Sequence, residues 1–171
     1  MTDLSLQIIT MDNFPLFRKR LIYIERFSFV SPWPVNSFKN ELLNPISRIW
    51  GALDGEVFVG FTCFWIVVGN IHLLNIAVAP EKRGMGIGKY LLGRVIELGE
   101  NTSVDRIWLE VRPSNSAALA LYRGAGFIKD GIRPGYYNDT GEDAVLMSLY
   151  LNSAGGYRES LNRPDALSLH A

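Results

Sequence analysis

The chain has 171 residues, the size of one domain, of which 48% are apolar and 20% charged. That composition can bury a core and is unlike a disordered or fibrous chain. Seventeen Lys and Arg balance seventeen Asp and Glu, which argues against a generic nucleic-acid or anionic-membrane binder, and the single cysteine, Cys63, excludes an internal disulfide framework and a Cys-rich zinc site.

Residues 5–9 alternate apolar and polar, as a half-buried strand does. Asp12 and Asn13 offer N-caps before Pro15, and Leu16, Arg20, Ile24 and Phe27 then recur near helical spacing. The run Ser31-Pro32-Trp33-Pro34 ends that helix, because proline neither continues a helix nor tolerates one just before it. A short helix is expected over residues 35–43, with Phe38 and Leu42 on one face.

Strands are expected over residues 48–53 and 57–67, joined at Asp54-Gly55, a hairpin signal. Gly69-Asn70 punctuates a second hairpin, followed by a strand over residues 72–78. The longest apolar run, residues 57–68, is broken by Gly60 and Thr62 and is too short to cross a bilayer. The start of the chain carries Asp3 and lacks a basic-then-apolar signal pattern, so a cytoplasmic location is expected.

The period then changes. Tyr90, Leu91, Arg94, Val95 and Leu98 form the apolar stripe of a helix ending near Gly99, and residues 106–112 read as a strand. Ser114 or Asn115 can cap a helix running through Tyr122, with Gly126 suited to a left-handed stop. Two closing strands, residues 127–132 and 144–151, are joined by a loop holding Gly135, Tyr136, Tyr137, Asn138 and Asp139. The expectation is one α+β domain over residues 1–151, a strongly twisted mixed, mostly antiparallel sheet with helices on both faces, followed by a flexible tail of residues 152–171.

The stretch Arg83-Gly84-Met85-Gly86-Ile87-Gly88-Lys89 lies between a strand and a helix. Alternating glycines let the backbone approach a ligand and turn its N–H groups inward, and a helix start adds unpaired donors and partial positive charge. With Arg83 and Lys89 flanking it, the loop reads as a pyrophosphate cradle. It is neither a Walker loop, because Arg83 and Tyr90 replace the required Gly and Ser/Thr, nor a dinucleotide fingerprint, because Lys89 replaces the third glycine.

Arg83-x-x-Gly86-x-Gly88, following Ile76-Ala77-Val78-x-Pro80, resembles the acyl-CoA loop of the GCN5-related N-acetyltransferases. Trp108-Leu109-Glu110-Val111-Arg112, Ser114-Asn115, Ala120-Leu121-Tyr122 and Gly126-Phe127 continue the resemblance in the family's order from about residue 8 to 151. Pro32-Trp33, the run from Leu109 to Asn115, and Tyr136-Tyr137 followed by Glu142-Asp143-Ala144 are most similar to the bacterial ribosomal-protein alanine N-acetyltransferases (RimI type). Pro34, where that group usually has Ser after the Trp, and the longer tail depart from it.

The resemblance implies acetyl-CoA as co-substrate and transfer of the acetyl group to an amine; no metal is expected, since His72 and His170 are too few and too far apart in sequence to propose one. An α-amino group has a pKa near ~8, so a mild base suffices. The resemblance assigns that role to Glu110, which could otherwise be a strand carboxylate paired with Arg112 or Arg106. It assigns Tyr122 to protonating the coenzyme thiolate, a position an amphipathic core tyrosine could equally fill. Asn115 is implied on the pantetheine arm, or simply as a helix cap. The backbone of Ile76, Ala77 and Val78 is implied on the pantetheine amides, with an N–H there facing the oxyanion, although Val-Ala-Pro also fits a strand ending.

Trp33, Tyr136 and Tyr137 are expected at the acceptor mouth, with Asp139, Glu142 and Asp143 drawing in a basic peptide. His72 is expected on a strand surface, Cys63 as an inert core thiol, and Phe14, Phe17, Phe27 and Phe29 in the core. By resemblance the partner is a basic protein or peptide N-terminus, that of a small-subunit ribosomal protein beginning with Ala. A polyamine or aminoglycoside acceptor, or an acetyl-CoA-binding regulator without turnover, stays open.

Overall fold

The computed structural model describes residues 3–151; the expected tail lies outside the described residues. Seven strands form one sheet in the order β1-β2-β3-β4-β5-β7-β6. They are β1 (Leu4–Ile9), β2 (Ser47–Asp54), β3 (Val57–Val67), β4 (Asn70–Val78), β5 (Arg106–Val111), β6 (Ile128–Tyr137) and β7 (Glu142–Tyr150). Only β4 and β5 run parallel, which the intervening crossover through a helix requires. Among the described residues no helix is long and apolar enough to cross a membrane.

Helices α1 (Phe14–Arg26) and α2 (Val35–Leu43) cover one face, where Phe38, Phe61 and Ile49 pack with Leu21 and Ile24. Helices α3 (Ile87–Glu100) and α4 (Ser116–Gly124) cover the other, over Ile71, Leu73, Ile107 and Leu109. The alternation of β5 makes this double burial possible. Ile107, Leu109 and Val111 are buried, while Arg106, Trp108 and Glu110 point to the opposite face.

Helix α1 corrects the expected stripe. Its buried residues are Phe14, Leu21, Ile24 and Glu25, with Phe17 half-buried, whereas Leu16 is 80% and Phe27 57% exposed. Both stripes share Ile24 and both fit a helical repeat, so packing on the sheet decides which face turns inward. Tyr136 and Tyr137 are also not in a loop: they end β6, where Tyr137 pairs with Glu142.

Two irregularities make the site. Phe64 pairs with Leu73 but Cys63 pairs with Asn75, so Leu74 is an extra residue that bends β4. The parallel ladder runs only from Asn70 and Arg106 to Leu73 and Leu109. Beyond it the two strands part, leaving the far half of β4 with an unpaired edge.

Candidate active site

β4 ends at Val78 and leads through a 3₁₀ turn (Pro80–Lys82) into the glycine loop and α3. Gly84 and Gly86 have φ of +77° and +82°, the left-handed region that favours glycine. Among the described residues, the backbone N–H groups of residues 84–89 have no acceptor in the protein. A Cβ at Gly84 or Gly86 would meet nothing within 4 Å, so the space above the loop is open. A cluster of unpaired donors at the positive end of a 14-residue helix fits a pyrophosphate.

The side chains of this loop do less than its backbone. Ile87 is buried in the core and can offer only its N–H. Arg83 turns back onto the α1 side, donating to the Phe27 carbonyl (2.8 Å), the Ser28 Oγ (3.2 Å) and the Val78 carbonyl (3.3 Å). Met85 and Lys89 are exposed. Gly88 lies against Leu121 and Val78, which a Cβ would touch at 3.5 and 3.8 Å. Ala77 is buried against the α1 side, so it too can act only through its backbone.

Where β4 and β5 part, a cleft of about 780 Å³ opens, bringing together Ile76, Glu110, Asn115, Tyr122, Trp33, Tyr136 and Tyr137. Glu110 does not pair with Arg112 or Arg106. Its Oε2 lies 2.7 Å from His72 Nε2 and its Oε1 accepts from Arg133 at 2.9 Å, and its side chain is 7% exposed. His72 is itself fixed, stacked on Trp108 at 3.7 Å and edge-on to Trp65.

Across the cleft Tyr122 is 6% exposed, and its hydroxyl has no hydrogen-bond partner among the described residues. Burial pushes its pKa well above the usual phenol range, so it stays protonated. Asn115 caps α4 by accepting the Ala118 N–H at 3.1 Å, and it also lines the cleft. Capping and facing a ligand are therefore compatible at this position.

The rim is held by charge. Arg112 grips Asp139 with two hydrogen bonds (2.7 and 2.8 Å), reaches Glu142 at 3.3 Å and covers the Tyr137 ring at 3.8 Å. Arg112 and then Ser31 hold the Asp139 carboxyl down at about 2. Asp143 accepts the Gly135 N–H. The rim acids expected to draw in a basic peptide are thus engaged by the protein itself.

Two residues escaped the sequence reading. His72 sits two strand positions before Leu74, and nothing in its spacing from Glu110 announces that parallel pairing will bring them together. Glu25 occupies the buried stripe of α1 and lines the cleft; a carboxylate on an otherwise apolar helix face was the available signal.

Residues 18–127 match the acetyltransferase (GNAT) family. A Bacillus subtilis (strain 168) protein is 40% identical over 130 residues, spanning 75% of this chain and 86% of its own. The ribosomal protein bS18-alanine N-acetyltransferase of Escherichia coli (strain K12) is 35% identical over 129 residues, 74% of this chain and 86% of that protein. The crystal structure of the ribosomal-protein-S18-alanine N-acetyltransferase from Escherichia coli superposes with a TM-score of 0.78 at 30% identity, covering 90% of this chain and 97% of the other. Glycine loop, forked strands and facing Glu and Tyr thus sit in a chain that belongs to the acetyltransferase (GNAT) family and is an N-acetyltransferase.

Proposed function

We propose that this enzyme moves the acetyl group of acetyl-CoA onto the α-amino group of a protein N-terminus, the N-terminal alanine of ribosomal protein S18, in the cytoplasm. The observation that carries the reading is the placing of Glu110 and Tyr122 on facing elements of one cleft at the β4–β5 fork. The relatives named above as alanine N-acetyltransferases support the acceptor. We assign residues 1–151 to one catalytic domain.

Acetyl-CoA supplies the thioester that is cleaved. The N–H groups of residues 84–89 hold its pyrophosphate, with Asn115 and the unpaired edge of Ile76, Ala77 and Val78 taking the pantetheine arm. An N–H of that edge faces the oxyanion that forms in transfer. Glu110, directly or through a water, takes the proton of the acceptor amine. His72 Nε2 and Glu110 Oε2, 2.7 Å apart, can share that proton. Tyr122 keeps its proton at working pH and gives it to the leaving sulfur once charge develops there.

Trp33, Tyr136 and Tyr137 form the acceptor mouth. Tyr136 and Tyr137 meet edge to face at 5.0 Å and are backed by Arg133 and Arg112. A slot walled by rings held this way favours a small first residue, since overpacking costs ~1–3 kcal/mol. Mass spectrometry of peptides and amines incubated with acetyl-CoA and the protein tests the reading. Labelling confined to a polyamine or aminoglycoside would assign a small-molecule acceptor, and no turnover at all a regulator.

A further inference from the structure

Glu25 is 1% exposed, one of the few buried polar residues. Three features argue against a carboxylate there on structural grounds. Desolvation penalises its charge and pushes its carboxyl up to about 7. It sits in the last turn of α1, where the helix dipole disfavours a negative group. No cation pairs with it among the described residues. An apolar side chain of similar volume at such a place is often neutral or stabilising.

What Glu25 does hold is the segment that follows α1. Its backbone carbonyl accepts the N–H groups of Ser28 (3.0 Å) and Phe29 (3.1 Å). Its Oε1 accepts the N–H of Trp33 at 2.8 Å. Its Oε2 faces the Asn75 amide, 3.5 Å away, on the bulged part of β4. One residue therefore gathers three N–H groups of the acceptor-side wall and sets that wall against the strand that lines the other side. Phe29, Ser31 and Trp33 all face the cleft.

We propose that Glu25 is a positioning residue for the acceptor, its carboxylate fixing the wall of residues 28–33 through the Trp33 N–H. This rests on the acetyltransfer reading for its kinetic consequence but not for its structural one. The Glu25 carboxyl makes no hydrogen bond to the residues proposed to hold the coenzyme, Ile76 to Val78, the glycine loop and Asn115, so its loss is expected to be felt in acceptor binding.

The test compares the full chain with Glu25→Gln, Glu25→Leu and Glu25→Ala. Gln keeps an oxygen for the Trp33 N–H, Leu keeps the volume without an acceptor, and Ala keeps neither. With acetyl-CoA and a basic peptide beginning with Ala, Leu and Ala raise the peptide KM about tenfold, the scale of one lost buried hydrogen bond. The acetyl-CoA KM is unchanged, and Gln restores the peptide KM to near wild type. Amide hydrogen exchange at Trp33, read without substrate, is fast in Leu and slow in wild type and Gln. An unchanged Trp33 exchange rate in Glu25→Leu overturns the proposal, as does a Gln variant as impaired as Leu. Slow exchange in wild type and fast exchange in Leu, with no peptide labelled by any form, upholds the wall and instead overturns the peptide acceptor.

Discussion

His72 Nε2 lies 2.7 Å from Glu110 Oε2, two side chains brought together by the short parallel ladder of β4 and β5. Replacing Glu110 by Gln removes the proposed base while preserving size. Turnover is expected to fall by ~10²-fold or more with acetyl-CoA affinity unchanged. Raising the pH restores part of the rate, because more of the amine is then neutral. Steady-state kinetics across pH check this, and full activity of Glu110→Gln at neutral pH would reassign the base.

Tyr122→Phe separates chemistry from stability. The hydroxyl has no partner among the described residues, so its loss leaves no orphaned group there and thermal unfolding should shift little. Turnover should still fall by ~10²-fold. A large loss of stability with normal turnover would make Tyr122 a core residue only.

Gly86 adopts φ +82° beneath open space. Gly86→Val places a branched Cβ in a left-handed conformation and into the space proposed for the pyrophosphate. Calorimetry should show acetyl-CoA affinity lost. Wild-type affinity would remove the loop from coenzyme binding.

Much of this was legible beforehand, for physical reasons. Helix α2, the glycine loop and the Asn115 cap are local: proline, alternating glycines and a capping amide each constrain their own neighbours. The rest was decided between elements. Leu16 and Phe27 mimic a core stripe that the sheet does not use. Tyr136 and Tyr137 carry β-propensity that pairing with β7 realises despite Pro134 and Gly135 nearby. The acids of the rim read as free charges, yet Arg112 lies close enough to engage Asp139 and Glu142. Glu25 and His72 meet their partners only in the assembled cleft.

Glu25 also sets a pH dependence. Its carboxyl titrates near 7 when folded, above the ordinary 4.5, so between those values the folded chain binds the extra proton and stability falls as pH rises. The neighbouring Cys63 does not cancel this, because burial holds its thiol up at about 12, outside the window. Glu25→Gln removes the penalty. The variant should gain on wild type by ~2–3 kcal/mol in denaturant unfolding between about pH 5 and about pH 8. A difference independent of pH would mean the carboxyl is not held neutral by burial.

The central claim is α-amino transfer to a small N-terminal residue. Matched basic peptides beginning with Ala, Leu or acetyl-Ala, incubated with acetyl-CoA and the protein and read by mass spectrometry, test it most directly. Preference for Ala over Leu, with no product from acetyl-Ala, is the predicted result. Equal labelling of the acetyl-Ala peptide at an internal lysine would contradict it.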